Sequence, residues 1–193
     1  MMSFRIIVGI TLSLIISLNK TMAIETPKYK LIFQDNGFEV REYQSMIIAS
    51  TKVDSDYRNA TSTGFRRIAN YIFGGNDKEM SISMTAPVIS KKSIESPSLY
   101  EISFVMPKKY SLEDLPKPSY SSVRLEKTNL GKVICIKFGG WATEKNVKRY
   151  QNDLIKSINE RGLESNGDFL VAQYNSPWAI PPFRKNEILI KIK

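Results

Sequence analysis

The stretch DSDYRNATSTGFRRIANYIFGG, residues 54–75, decides the fold because it has a counterpart later in the chain. Asp54, Ser55 and Asp56 are N-cap residue types, whose short side chains accept hydrogen bonds from the free amides at a helix start. Phe65, Ile68, Ala69, Ile72 and Phe73 then recur at helical spacing, and Gly74-Gly75 ends the run. The pattern predicts a helix over 56–73. The second stretch, GGWATEKNVKRYQNDLIKSINERG at 139–162, repeats the plan. Thr143 is its cap, Val147, Tyr150, Leu154, Ile155 and Ile158 are its stripe, and Gly162 closes a helix over 143–161.

Outward from each helix the chain turns β-like. Tyr29 to Phe33 and Phe38 to Val53 precede the first helix, separated by the turn cluster Gln34-Asp35-Asn36-Gly37. On the second of these, Glu39, Arg41 and Glu42 mark the wet side. Ile82 to Ser90 and Leu99 to Met106 follow the helix. Pro107 to Tyr120, with three prolines, reads as a surface linker. Val123 to Lys127 and Lys132 to Phe138 read as a hairpin about Asn129-Leu130-Gly131, and Phe169 to Tyr174 and Glu187 to Ile192 are the last strands. Strand-strand-helix-strand-strand is thus written twice. Neither half covers its own sheet, so the expectation is one α+β domain: a duplicated ββαββ unit forming a distorted antiparallel barrel of about eight strands. Two helices flank it, one on each side, and a groove between helix and sheet is the natural ligand site.

Composition removes much chemistry. There is one cysteine, Cys135, so no disulfide, CxxC pair or cysteine zinc cluster can form within the chain. Cys135 lies in the alternating run Val133–Ile136 and reads as a small buried thiol. Histidine is absent, which removes the commonest general base and metal ligand. The carboxylate pairs Glu39/Glu42 and Glu113/Asp114 have no acid–base spacing. A non-catalytic protein is the expectation. The formal charge of +9 is carried by scattered lysines and arginines rather than a tract, which argues against a nucleic-acid partner.

Three segments carry a family resemblance. Met84-Thr85-Ala86-Pro87-Val88 follows the first helix, Phe138-Gly139-Gly140-Trp141-Ala142 leads into the second, and Tyr174-Asn175-Ser176-Pro177-Trp178 precedes Arg184-Lys185-Asn186-Glu187-Ile188. Together, in this order over residues 29–193, they resemble the SOUL haem-binding protein family. The resemblance implies the duplicated barrel and non-covalent binding of haem or another tetrapyrrole. Some members are held to ligate haem iron through a histidine before or within the first helix; with none here, only the mode using an apolar groove and basic side chains applies.

A tetrapyrrole is a flat apolar ring with carboxylate tails, so its site needs apolar surface and cations at the edge. The first helix supplies Phe65, Ile68 and Ile72 for the ring and Arg58, Arg66 and Arg67 for the tails. The plain alternative makes the arginines a wet face and the apolar residues core. Met84 is a core filler or, alternatively, an iron ligand. Trp178 stacks on the ligand or pins its proline-rich loop, and Arg184, with Lys185, is a second carboxylate partner. Competing readings on the same fold are a peptide- or protein-interaction module and an effector-binding-like domain for small organic ligands. A haem-degrading enzyme lacks the histidine to hold iron.

Residues 1–23 read as a signal peptide. Arg5 gives a positive start, Ile6 to Leu18 is mostly apolar, and Ala23 is a small residue at the cut. The run is shorter than the roughly 20 residues of a membrane span, although a retained anchor is the alternative. Cleavage leaves domain 24–193 with 26 basic residues, after removal of Arg5 and Lys20 from 28, against 19 acidic. The expected product is an exported monomer, periplasmic or secreted, without a membrane span. Intact mass should show a protein beginning near Ile24 in the soluble extracytoplasmic fraction; residues 1–23 retained in membranes would contradict it.

Overall fold

The computed structural model describes residues 24–176 and 179–193. Its elements run β1 (Tyr29–Asp35), β2 (Phe38–Tyr43), β3 (Met46–Asp54), α1 (Tyr57–Ile72), β4 (Val88–Lys92), β5 (Leu99–Val105), β6 (Val123–Thr128), β7 (Gly131–Phe138), α2 (Glu144–Glu160), β8 (Ser165–Gln173) and β9 (Asn186–Ile192). Both helices start and stop where the sequence pattern places them. Asp56 caps α1 by accepting from the Asn59 amide, and Thr143 caps α2 by accepting from the Asn146 amide. Gly74, at φ +107°, turns the chain out of α1 where a side chain would be strained.

The strands form one antiparallel sheet in the order β1-β2-β7-β9-β8-β4-β5-β3-β6. Leaving β1 aside, the remaining eight are the two ββαββ units, β2-β3-α1-β4-β5 and β6-β7-α2-β8-β9. A pseudo-twofold between β4 and β8 relates them. Each unit gives its first strand to the other: β2 pairs with β7, and β6 pairs with β3. The expected hairpin of β6 with β7 therefore does not form. The extended run 38–53 also breaks at Gln44-Ser45 into two strands that lie far apart in the sheet order. With β1 the sheet has nine strands rather than eight.

Those exchanges bend the sheet. Tyr43 joins Met46, and Thr128 joins Gly131, through two residues, a reach of at most about 11 Å. In a flat sheet strands six positions apart would lie about 29 Å from each other. The sheet therefore curls strongly, but it remains open, because β1 and β6 are edges without a common ladder.

Both helices lie on one face of this curved sheet, not on opposite sides. Val171, Ser90 and Ile102 stand directly opposite one another across β8, β4 and β5. Val171 belongs to the core under α2 and Ile102 to the core under α1. Tyr57, at the start of α1, touches both. The other face packs Tyr43, Val133, Cys135, Ala172 and Leu189 into a third cluster inside the curve.

The first helix sits flush on the sheet, so the expected groove beneath it is filled. Ala60, Gly64, Ile68, Tyr71 and Ile72 are its buried residues. Phe73 projects into solvent, since the helix ends before the stripe does. Pro107 to Tyr120 is not a free linker either: Leu115 and Pro116 are buried, and the Tyr71 hydroxyl donates to the Pro116 carbonyl at 3.1 Å. Gly64 makes the close approach possible, because a Cβ there would meet Ile102 Cγ1 and lie 2.6 Å from Ile102 Cβ. Alanine is the better helix former by about 1 kcal/mol, yet overpacking costs about 1–3 kcal/mol. Gly64→Ala should therefore lower the unfolding free energy, as measured by urea titration, whereas Arg58→Ala on the exposed face should leave it within about 0.5 kcal/mol.

Candidate functional site

Strand pairing brings the three sequence motifs to one end of four neighbouring strands. Val88 stands opposite Gln173, Gln173 opposite Asn186, and Asn186 opposite Phe138. Residues 84–87 therefore enter β4, residues 174–176 leave β8, residues 179–185 lead into β9, and residues 139–142 leave β7, all at the same rim. Side-chain bonds hold the loops there. The Thr85 hydroxyl donates to the Val105 carbonyl at 2.5 Å, and the Ala86–Pro87 bond is cis. Asn186 Nδ2 donates to the Gly140 carbonyl at 2.9 Å, and Asn175 Oδ1 accepts from the Lys185 amide at 2.5 Å. Arg184 Nε donates to the Ala179 carbonyl at 2.8 Å, while its guanidinium stacks 3.8 Å over the Trp141 ring.

The first helix reaches the same rim through Phe65. Its ring packs 5.3 Å from that of Phe104, which stands opposite Val88. Of the residues expected to hold a ligand, Arg58 and Arg66 are exposed, and Arg66 bonds to Ser62 and Thr63 on its own helix. Arg67 turns to the sheet, donating to the Lys52 carbonyl at 3.0 Å and to Thr51 Oγ1 at 3.4 Å. Ile68 and Ile72 face the core and offer no surface. Met84 is 41% exposed, so it is not a core filler. Arg184 is buried by its stack on Trp141, and Trp178 lies outside the described residues.

The rim also exposes Trp141, Ile180 and Phe183, each with half or more of its surface. The sequence pattern marks Trp141 as a motif residue and leaves Ile180 and Phe183 unmarked. Phe73, the last residue of the expected apolar stripe, is likewise exposed, at the end of α1. The Pro181–Phe183 turn presents Phe183 where composition alone suggested only a proline-rich loop. An exposed aromatic next to a helix end was the signal available for Phe73; none marked Ile180.

The SOUL heme-binding protein profile matches residues 24–191. The chain belongs to the SOUL haem-binding protein family. Heme-binding protein 2 of Mus musculus is 32% identical over 180 residues, covering 88% of this chain and 87% of the mouse protein. Heme-binding protein 2 of Homo sapiens is 33% identical over 165 residues and covers 80% of each chain. Among solved structures, the EcmrR C-terminal domain superposes with a TM-score of 0.64 at 9% identity, over 86% of this chain and 98% of that one, a likeness of fold alone.

On the face away from the helices, this SOUL domain buries an ionic network that ties the rim to the sheet. Arg41, 1% exposed, donates through both terminal nitrogens to Glu187 at 2.8 and 2.7 Å, through Nε to Glu39 at 2.7 Å, and to the Tyr43 hydroxyl at 3.0 Å. The Tyr29 ring covers its guanidinium at 4.2 Å. Tyr174, the first residue of the β8–β9 connection, donates its hydroxyl to Glu187 at 2.6 Å. Glu39 and Arg41 are thus buried, and only Glu42 of the expected wet side is wet. Curling makes the inner face of β2 interior, so its charges must be paired.

Burial pushes the Cys135 thiol up to about 12 and the Tyr43 phenol up to about 12, and it raises the Tyr174 phenol as well. Among the described residues no cluster of three acidic or cysteine side chains could hold a metal ion. Of Met84 and Cys135, Met84 reaches solvent and Cys135 does not.

The network makes stability depend on acid. Burial opposes the Glu39 charge, but hydrogen bonds and charge from Lys137 and Arg41 outweigh it and hold the carboxyl below its ordinary value of 4.5. Its contribution is therefore complete above pH 4.5 and is lost as pH falls through the depressed folded pKa. Glu39→Gln should melt below wild type at pH 7, and the gap in Tm should close in acid. A gap that stays constant down to pH 2.5 would contradict the assignment.

Proposed function

We propose that this protein is a non-catalytic tetrapyrrole carrier or buffer working outside the cytoplasm, binding the ring at the rim where its three SOUL motifs meet. That convergence carries the reading: four neighbouring strands bring an exposed methionine, exposed aromatics and Arg184 together, and Phe65 adds the flank of α1. Haem-binding relatives over nearly the whole chain support the same ligand class.

The chemistry fits in both parts. Burying several hundred square ångströms of ring at roughly 25 cal/mol per Å² supports micromolar affinity after the entropic losses of binding. Arg58 and Arg66, which form no ion pair among the described residues, are available to the carboxylate tails. Arg67, engaged by β3, serves the helix–sheet contact instead. Without histidine, the protein holds the ring by contact and charge rather than through a strong axial bond. Among the described residues no helix is long and apolar enough to cross a membrane.

Two titrations test this. Haemin and iron-free protoporphyrin IX should quench tryptophan fluorescence with affinities within about tenfold, a gap of roughly 1.4 kcal/mol, and haemin should shift its Soret band with saturation near one equivalent. A hundredfold preference for haemin would reveal an axial ligand. The double variant Arg58→Glu/Arg66→Glu should weaken both ligands by about tenfold or more with the fold intact. Absence of any spectral shift at tens of micromolar would overturn the carrier reading in favour of a protein-interaction module.

A further inference from the structure

A cavity of about 450 Å³ lies beside the segment that enters the first motif, bounded, among the described residues, by none of α1 and none of the β8–β9 connection. This is within the roughly 300–1,000 Å³ of small-molecule sites. Its apolar wall comes from Met46, Ile47, Val105, Met106 and Pro107, with Tyr110 beside them. The wall has a structural origin. The Gln44-Ser45 link delivers β3 at Met46, the Met106 amide donates to the Ile47 carbonyl at 2.8 Å, and residue 25 bridges to Thr85, so three chain segments leave a hollow between them.

The mouth is cationic. Lys28, Lys108 and Lys127 all border the cavity and enter no ion pair among the described residues. Among the described lining residues the one carboxylate is Glu25, whose Oε1 accepts from the Lys108 backbone amide at 2.8 Å, so three lysines outnumber one acid. An apolar hollow bordered by such a net positive lining is complementary to a molecule with an apolar body and an anionic head. A neutral ligand would leave the lysines unused, and an organic cation would meet repulsion.

We propose that this cavity is a second binding site, separate from the tetrapyrrole rim, for a medium-chain monocarboxylate. The hydrocarbon occupies the space between Ile47, Val105 and Met106, and the carboxylate lies at Lys28, Lys108 and Lys127. The site does not depend on the tetrapyrrole reading, because among the described residues it shares with the motifs only Thr85, whose hydroxyl is already bonded to Val105.

The protein labelled with ¹³C at its methionine methyls tests this directly. Met46 and Met106 line the cavity, whereas Met84 reports on the rim. Decanoate should shift the Met46 and Met106 signals saturably and leave Met84 in place. Affinity should rise about three- to fourfold per added methylene from hexanoate to decanoate. Decanol should bind at least about tenfold more weakly, and Lys108→Glu/Lys127→Glu should weaken decanoate while leaving decanol unchanged. No shift at millimolar decanoate would overturn the proposal, as would equal affinity for decanol. Displacement of decanoate from Met46 and Met106 by protoporphyrin IX would also overturn it, by making the cavity the tetrapyrrole site itself. Loss of porphyrin binding with decanoate binding retained would instead count against the rim alone.

Discussion

Two links of two residues each, Gln44-Ser45 and Asn129-Leu130, join strands that hydrogen bonding places six positions apart in the sheet. Chain connectivity therefore competes with the flatness of the ladder, and the ladder yields. Once the sheet is curled, its two faces become unlike. The outer face has room for both helices side by side, and Tyr57 packs against the cores beneath both. The inner face has no helix to cover it and is covered by the sheet's own curvature.

That inner face explains why so much charge is buried in a protein with an ordinary apolar content. Arg41 is fully enclosed and satisfied by Glu187, Glu39 and Tyr43, with Tyr29 on its π face. A buried pair of this kind is weak evidence of stabilisation but strong evidence of constraint, since removing one partner strands the others. Here the constraint links β2, β9 and the start of the β8–β9 connection through Tyr174. The loop carrying Arg184 and Phe183 is thereby tied at one end to the ionic core and at the other to Trp141. A rim built from loops then has a defined shape.

The helices were legible in the sequence because their signals are local: Asp56, Thr143, Gly74 and Gly162 act within a turn of where they stand. The repeat was legible for the same reason. The exchange of first strands was not, since nothing in residues 38–43 or 123–128 says whether a strand pairs with its neighbour in sequence or with the other unit. Glu39 and Arg41 were read as wet because charge ordinarily marks solvent; only the curl puts them indoors. At the rim, the motif residues Met84, Trp141 and Arg184 were visible as words, and their meeting was visible only through the β4-β8-β9-β7 ladder. Ile68 and Ile72 illustrate the opposite case, where periodicity correctly announced an apolar face that proved to be core.

The traded first strands bear on how such a chain can arise. A single ββαββ unit, cut from this sheet, would lack the strand beside β3 and would offer its own first strand to nothing. Two copies would each supply what the other lacks, through an interface with twofold symmetry and hydrogen-bonded ladders on both sides. The present chain is that pair on one polypeptide, with residues 106–122 as the tether. Linkage frees the halves from having to be identical, so their helices and connecting loops can diverge while the shared ladders keep the sheet together.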